Sequence, residues 1–328
     1  MKMTDLTIQT AMADFIEGIK RSRSKNTALS YQKGLRFFTR VLEKHQLSID
    51  DTPISELSDE FILWHLDDLK ALSPATEQLY TVAVKRFYHY VASRNLAKIN
   101  LPRLAEFILE QTRRPGKRLP QFPREDIEKV LESVENYTKN AYNDEKERLR
   151  AMRDRAFIIT LADTGLRVHE ICELRRGDVD WNEGRAIIIG KGDKQAIIRF
   201  SNRSMRAIKD YLAARQKLDG ASGRPLPSLP FFARHDKGAG SKVKPISTAT
   251  GRNIVRDRVR QSLGKEAVGK ITPHSFRHYF VTTVLRASGN LKLAQKLARH
   301  SNIAVTQRYA HLSDDELDRG YYEIFDKE

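Results

Sequence analysis

Apolar residues recur at helical spacing through the first third of the chain. Tyr31, Leu35, Phe38 and Leu42 form one stripe, and Leu79, Val82, Ala83, Phe87, Tyr90 and Val91 a second, the recurrence expected of helices that bury one face. The stripes need each other, so residues 1–112 are predicted to form an all-helical domain. Ser24–Thr27 and Ser73–Thr76 supply polar helix starts, the second with Pro74 where its missing N–H costs nothing.

The pattern then changes. Thr112–Phe122 (TRRPGKRLPQF) holds two prolines, a glycine and four basic residues and reads as a linker. The predicted organisation is therefore a helical domain over 1–112, a basic linker over 113–122 and a second domain over 123–328. In that second domain Arg124–Glu135 and Leu149–Leu161 read as helices flanking a polar insert, Asn136–Glu147. Two β-branched runs between Arg185 and Phe200 surround GKGDKQ and read as a hairpin with Lys191 at its tip. Gly220–Thr248 reads as a long loop, and the chain after it as helical to near its end. The fold class is mainly α with a small β-hairpin or sheet, without repeats of solenoid period.

Charge adds a partner class. The 328 residues carry a net charge of +16 with pI near 9.8, which favours a polyanion because each neutralised phosphate releases counterions. The charge is also segregated. No acidic residue lies between Gly18 and Leu42, where Lys20, Arg21, Arg23, Lys25, Lys33, Arg36 and Arg40 fall; Gln78–Ala105 repeats the pattern with Lys85, Arg86, Arg94, Lys98 and Arg103. Asp50, Asp51, Asp59, Glu60, Asp67 and Asp68 collect between them. Solvated helix faces usually mix signs, so these stretches are expected to meet a DNA backbone, with Arg113, Arg114, Lys117 and Arg118 carrying the contact across the linker. The plainer alternative is a soluble basic protein.

Cys172 is the single cysteine; an intrachain disulfide is excluded and a reducing cytoplasm is the expected setting. Met1–Thr10 lacks a basic segment followed by an apolar run, and no stretch approaches the roughly 18 apolar residues of a spanning helix, so the chain is expected to be soluble, unprocessed and free of membrane. Among nine histidines, His274 and His278 stand four apart without an HExxH or a cysteine pair, so neither a metal nor another cofactor is expected.

Three segments carry polar residues of chemical interest. In DTGLRVHEICEL, Thr164 and Gly165 read as the start of a helix with Arg167, Ile171 and Leu174 on one face. Arg167 then points toward the core, where a guanidinium needs an anion: Glu170 as structural partner, or a phosphate. In TPHSFRHYFVTTVL, Thr272 is an N-cap and Pro273 the first helical residue, so His274 and Arg277 lie one turn apart near a helix N-terminus, a place suited to anions; a surface His and Arg is the alternative. In LARHSNIAVTQRYAHL, His300 follows an apolar helix and Tyr309 comes nine residues later; a lone tyrosine is ordinarily packing or a hydrogen bond. GKGDK lacks the GxxxxGK[ST] spacing of a nucleotide loop, so Lys191 needs another reading.

Arg167, Lys191, His274 with Arg277, His300 and Tyr309 occur in the order and approximate spacing of the tyrosine recombinases, the group of phage integrases and Xer-type resolvases, which the chain resembles. KNTALSYQKGLRFF and SPATEQLYTVAVKRFYHYV resemble the two characteristic helices of that family's core-binding domain, so the resemblance spans nearly the whole chain. It implies a helical core-binding domain followed by an α+β catalytic domain, and a site-specific recombinase that needs neither metal nor ATP. Tyr309 would attack the scissile phosphate to give a 3'-phosphotyrosyl link. Arg167 and Arg277 would hold the non-bridging oxygens, Lys191 would protonate the departing 5'-oxygen, His274 would assist proton transfer at the tyrosine, His300 would support the phosphate pocket, and Glu170 matches a supporting acidic position. The final segment carries Leu317, Tyr321, Ile324 and Phe325 on a helical stripe, which by resemblance packs into a neighbouring subunit of a tetramer on double-stranded DNA with paired sites.

The chain departs from the family at His169, which replaces a small residue, at ARH, which replaces a common GH dipeptide, and at Phe276, which replaces a frequent leucine. None of these removes a polar catalytic group. Competing readings are a type IB topoisomerase-like strand cleaver, a non-catalytic DNA-binding regulator, and a metal-free ribonuclease built on His274, His300 and Lys191, which leaves Tyr309 and the helical domain without purpose. The residues name no target DNA sequence, accessory protein or biological task.

Overall fold

A computed structural model describes residues 6–113, 123–137, 142, 144–189, 195–239, 242–300 and 302–307. The chain separates into two compact units, Met1–Arg118 and Leu119–Glu328.

The first unit is built from α1 (Ile8–Ser22), α2 (Lys25–Lys44), α3 (Phe61–Leu69), α4 (Pro74–Ser93) and α5 (Leu101–Gln111). The serines predicted as helix starts do cap: the Ser24 and Ser73 side chains accept from the backbone N–H groups of Thr27 and Thr76, each at 3.3 Å. Leu35, Phe38 and Leu42 are buried as predicted, whereas the second stripe lies turned from its predicted register. Leu79 and Val82 are each 42% exposed, and Val84 and Tyr88 join Ala83, Phe87 and Val91 inside. The two helices pack closely: α2 and α4 approach at Gly34, where a Cβ would stand 2.8 Å from that of Ala83. A buried carboxylate closes the unit. Glu77 receives Lys70 at 3.3 Å and both the backbone N–H, at 2.9 Å, and guanidinium of Arg113. Arg113 also donates to the Leu72 carbonyl at 2.7 Å, so this arginine, expected on a linker over phosphates, is engaged in closing its own unit.

The second unit holds α6 (Arg124–Tyr137), α7 (Glu145–Thr164), α8 (Val168–Glu173), strands β1 (Val179–Asp180), β2 (Arg185–Ile189) and β3 (Gln195–Arg199), then α9 (Asn202–Ala214), α10 (Gln216–Gly220), α11 (Thr248–Leu263), α12 (Pro273–Ser288), α13 (Leu291–Ala298) and α14 (Ile303–Gln307). The three strands form an antiparallel sheet in the order β1-β2-β3, with Ile187 opposite Ile197. The two β-branched runs pair as predicted, and their residues alternate: Ala186, Ile188 and Ile198 face the core while Ile187, Ile189 and Ile197 face outward.

Helix α7 is the central support, packed against α6, α8, α9 and α12, with Phe157, Ile158, Ile159, Leu161 and Ala162 buried. Residues 220–248 were expected to be a loop, yet Leu229, Phe231, Phe232 and Ala233 are core residues. Short stretches of pairing satisfy their backbone, with Phe231 N–H donating to Leu174 O at 2.8 Å and Ile246 N–H to Phe232 O at 3.2 Å. Beneath them Arg215, fully buried, donates to Asp219 at 2.8 Å, to the Tyr211 hydroxyl at 3.1 Å and to the carbonyls of Phe231 and Pro230 at 3.2 and 2.8 Å. That arginine has its anion inside the protein and is structural.

Candidate active site

The local structure around Arg167 differs from the sequence expectation. Gly165 ends α7 rather than starting a helix, in the left-handed conformation with φ +59°. A Cβ there would also lie 2.5 Å from the Phe280 ring, so glycine is required by both conformation and space. Arg167 is the N-cap of α8. Its side chain is 42% exposed, not turned to the core, because the chain leaves α7 and re-enters a helix between Gly165 and Val168. Glu170 is the structural partner foreseen for it: Arg167 Nη1 donates to Glu170 Oε1 and its backbone N–H to Oε2, both at 2.8 Å. Burial works to raise the Glu170 pKa, but the Arg299 charge and the Arg167 hydrogen bonds outweigh it and hold the carboxyl below its ordinary range.

Arg277 ties the site together. It lies in the second turn of α12, 3% exposed, and donates to the carbonyl oxygens of Gly165, where α7 ends, and Ala298, the last residue of α13. Its planar fork suits two acceptors on separate elements. His274, one turn earlier as predicted, packs edge-on against His278 with ring centroids 4.4 Å apart. After α13 the backbone turns left-handed at Arg299 and delivers His300, whose Nδ1 lies 2.9 Å from the hydroxyl of buried Thr306.

These groups feel one another electrostatically. Burial, followed by the cations Arg277 and Arg167, lowers the His274 pKa and brings that of His300 to about 4; burial, His274 and Arg277 bring His278 to about 4. At neutral pH the imidazoles are therefore neutral and able to accept protons. Arg167, Glu170, His274, Arg277 and His300 are thus gathered where α7, α8, α12 and α13 meet. Lys191, in the β2–β3 connection, and Tyr309, after α14, lie outside the described residues, as do Arg114, Lys117, Arg118 and the final stripe from Leu317 to Phe325. Among the described residues, no group of three or more His, Cys, Asp or Glu side chains has a metal-binding arrangement.

Residues 124–316 match the phage integrase family, and residues 13–95 match the phage integrase N-terminal SAM-like domain. The chain belongs to the phage integrase family. It is a tyrosine recombinase, an enzyme of site-specific DNA recombination. Similar proteins include tyrosine recombinase XerC of Staphylococcus epidermidis, 26% identical over 304 residues with 92% of each chain covered, and XerC of Staphylococcus aureus, 26% identical over 317 residues covering 96% of this chain and 95% of the relative. Solved structures of similar fold include the XerH site-specific recombinase bound to palindromic difH substrate, with a TM-score of 0.67 at 20% identity over 94% of this chain and 82% of that one. The Tn1549 transposon integrase in complex with transposon right end DNA has a TM-score of 0.65 at 20% identity, over 98% of this chain and 100% of that one.

In the recombinase the basic residues singled out from the charge pattern differ in exposure. Arg21, Arg23 and Lys25 are exposed around the α1–α2 junction, as are Lys33 and Arg36 on α2 and Arg86 on α4, while Lys85 is half-buried. One residue escaped the sequence reading. Arg299 extends its guanidinium to Glu170 Oε2 at 3.0 Å. Its only signal in the sequence was the departure from the common GH dipeptide. Among the described residues, no helix of the recombinase is long and apolar enough to cross a membrane.

Proposed function

We propose that the chain cuts and rejoins double-stranded DNA through a 3'-phosphotyrosyl intermediate on Tyr309, exchanging strands between paired sites in a tetramer. The observation that supports this reading is the gathering of Arg167, Arg277, His274 and His300 within electrostatic reach of one another. Arg167 supplies an exposed charged donor for the non-bridging oxygens of a phosphate, the enclosed Arg277 adds positive charge beside it, and imidazoles held neutral supply proton acceptors. Arg167 remains 42% exposed despite its contact with Glu170, unlike the enclosed structural Arg215, which leaves it accessible to an anion from outside.

The chemistry then needs a nucleophile and a leaving-group acid. Tyr309 and Lys191 take these parts by their order in the chain, with His274 assisting proton transfer at the tyrosine and His300 supporting the phosphate. In the first step the Tyr309 oxygen bonds to phosphorus as the bond to the 5'-oxygen breaks. The tyrosine proton goes to base, and the 5'-oxygen takes a proton from Lys191. Reversal by a 5'-hydroxyl from another strand restores the phosphodiester. The bond energy stays in the ester, so neither ATP nor a metal is required by the balance of the reaction. The basic residues of α1, α2 and α4 would neutralise the DNA backbone, with Arg114, Lys117 and Arg118 continuing that contact, and the stripe from Leu317 to Phe325 would seat on a neighbouring subunit.

Nicked duplexes drawn from DNA flanking the gene, incubated with the protein in EDTA and resolved on a denaturing gel, test the reading. A protein–DNA band is expected from the natural chain and none from Tyr309→Phe, with DNA affinity little changed. An adduct that survives Tyr309→Phe removes the assignment of the nucleophile. Tight binding without any adduct across a broad substrate library favours the non-catalytic DNA-binding regulator. Rejoining confined to the original strand favours the topoisomerase-like alternative.

A further inference from the structure

The residue that the sequence reading passed over is costly to keep where it is. Arg299 adopts φ +57° and ψ +43° as the C-cap of α13, a conformation glycine takes freely and a side chain resists by roughly 1–2 kcal/mol. Its side chain is only 12% exposed. Its Nη2 reaches Glu170 Oε2 at 3.0 Å and the Gly165 carbonyl at 3.5 Å, while Nε and Nη1 have no hydrogen-bond partner among the described residues. A strained backbone supporting an incompletely satisfied buried guanidinium beside the candidate phosphate site calls for a functional account.

The charges supply one. Glu170, 2% exposed, faces two guanidiniums: Oε1 takes Arg167 Nη1, and Oε2 takes the Arg167 backbone N–H and Arg299 Nη2. Two cations against one carboxylate leave one positive charge in excess. Without Arg299, Arg167 and Glu170 would form a neutral pair, and the guanidinium would be held to its own carboxylate more strongly than to an incoming phosphate.

We propose that Arg299 is a positioning residue for strand cleavage, which shares the Glu170 carboxylate and so keeps the Arg167 guanidinium available to the scissile phosphate. This rests on the recombinase reading of the site. Burial, then the charge of Arg167, lowers the Arg299 pKa, with Glu170 acting the other way; Arg299 feels both members of the pair it is proposed to balance.

The test compares the natural chain with Arg299→Gly on nicked duplexes, scoring scissile-strand cleavage at saturating protein, once with an ordinary phosphodiester and once with an uncharged methylphosphonate at the scissile position. Glycine relieves the backbone, so the melting temperature should hold or rise. Cleavage of the phosphodiester should slow on the order of 10- to 100-fold, less than the loss of a direct oxyanion donor. Arg299→Lys should recover part of the rate. On the methylphosphonate the gap should shrink to a few-fold, because Arg167 has less charge to meet. Equal rates for the natural chain and Arg299→Gly overturn the inference. So does a loss of equal size on both linkages, which a merely structural role produces. Should Arg299→Gly lower the melting temperature, Arg299→Gln carries the same comparison with the charge removed and a polar side chain kept. Absence of cleavage by the natural chain on every substrate overturns the recombinase reading itself, an outcome distinct from a reactive natural chain indifferent to Arg299.

Discussion

Arg277 donates a hydrogen bond to the carbonyl oxygen of Gly165, 112 positions earlier in the chain. That bond joins the end of α7 to the second turn of α12 and sets where the chain turns toward Arg167. The placement of one guanidinium of the site is therefore tied to the other through a glycine carbonyl.

Gly165→Ala should damage both stability and the site. A left-handed alanine costs about 1–2 kcal/mol and overpacking against Phe280 about 1–3 kcal/mol, so a loss of roughly 2–5 kcal/mol is expected from urea denaturation. Cleavage should fall even under conditions where the variant is folded, because the Arg167 turn must move to relieve the clash.

Glu77→Ala should destabilise the helical unit. It removes the acceptor of the Arg113 backbone and guanidinium and of Lys70; with both cations partly exposed and able to regain water, a loss of about 2 kcal/mol is expected. Chemical denaturation of the full chain measures it. Unchanged stability would mean that Arg113 is free for other partners.

The exposed basic residues should act through counterion release. Lys33→Ala and Arg36→Ala should each weaken DNA binding similarly across sequences and lower the slope of log affinity against log salt by about 0.9 for each phosphate left without its cation. Titrations at several salt concentrations check this. An unchanged slope removes that residue from the DNA-facing set.

Stability should fall on acidification before most carboxylates titrate. Burial, then nearby cations, brings His235 to about 3 and His300 to about 4; burial likewise brings His65 and His278 to about 4. An unfolded histidine titrates near 6.5. Below that value the unfolded chain binds more protons, so the melting temperature should be flat above about pH 7 and decline as pH drops from about 6.5 toward 4. His65→Leu, at a fully buried position between Phe37 and Phe38, should remove part of that decline.

Much of this protein was readable before its fold was known. The Ser24 and Ser73 caps, the α2 stripe and the β2–β3 pairing are local, set by capping chemistry, by a side-chain period of 3.6 residues and by β-branched runs. The order of Arg167, Lys191, His274, Arg277, His300 and Tyr309 carried the family without any geometry. What tertiary structure alone decided involves residues far apart in the chain. The register of the α4 stripe follows its packing against α2, and Leu229, Phe231, Phe232 and Ala233 entered the core where backbone groups of that stretch found partners on other segments. Arg113 was drawn to Glu77, and Arg299 to Glu170, 129 positions away. A charged side chain takes the partner that folding brings within about 3 Å, and no local period encodes which one that is.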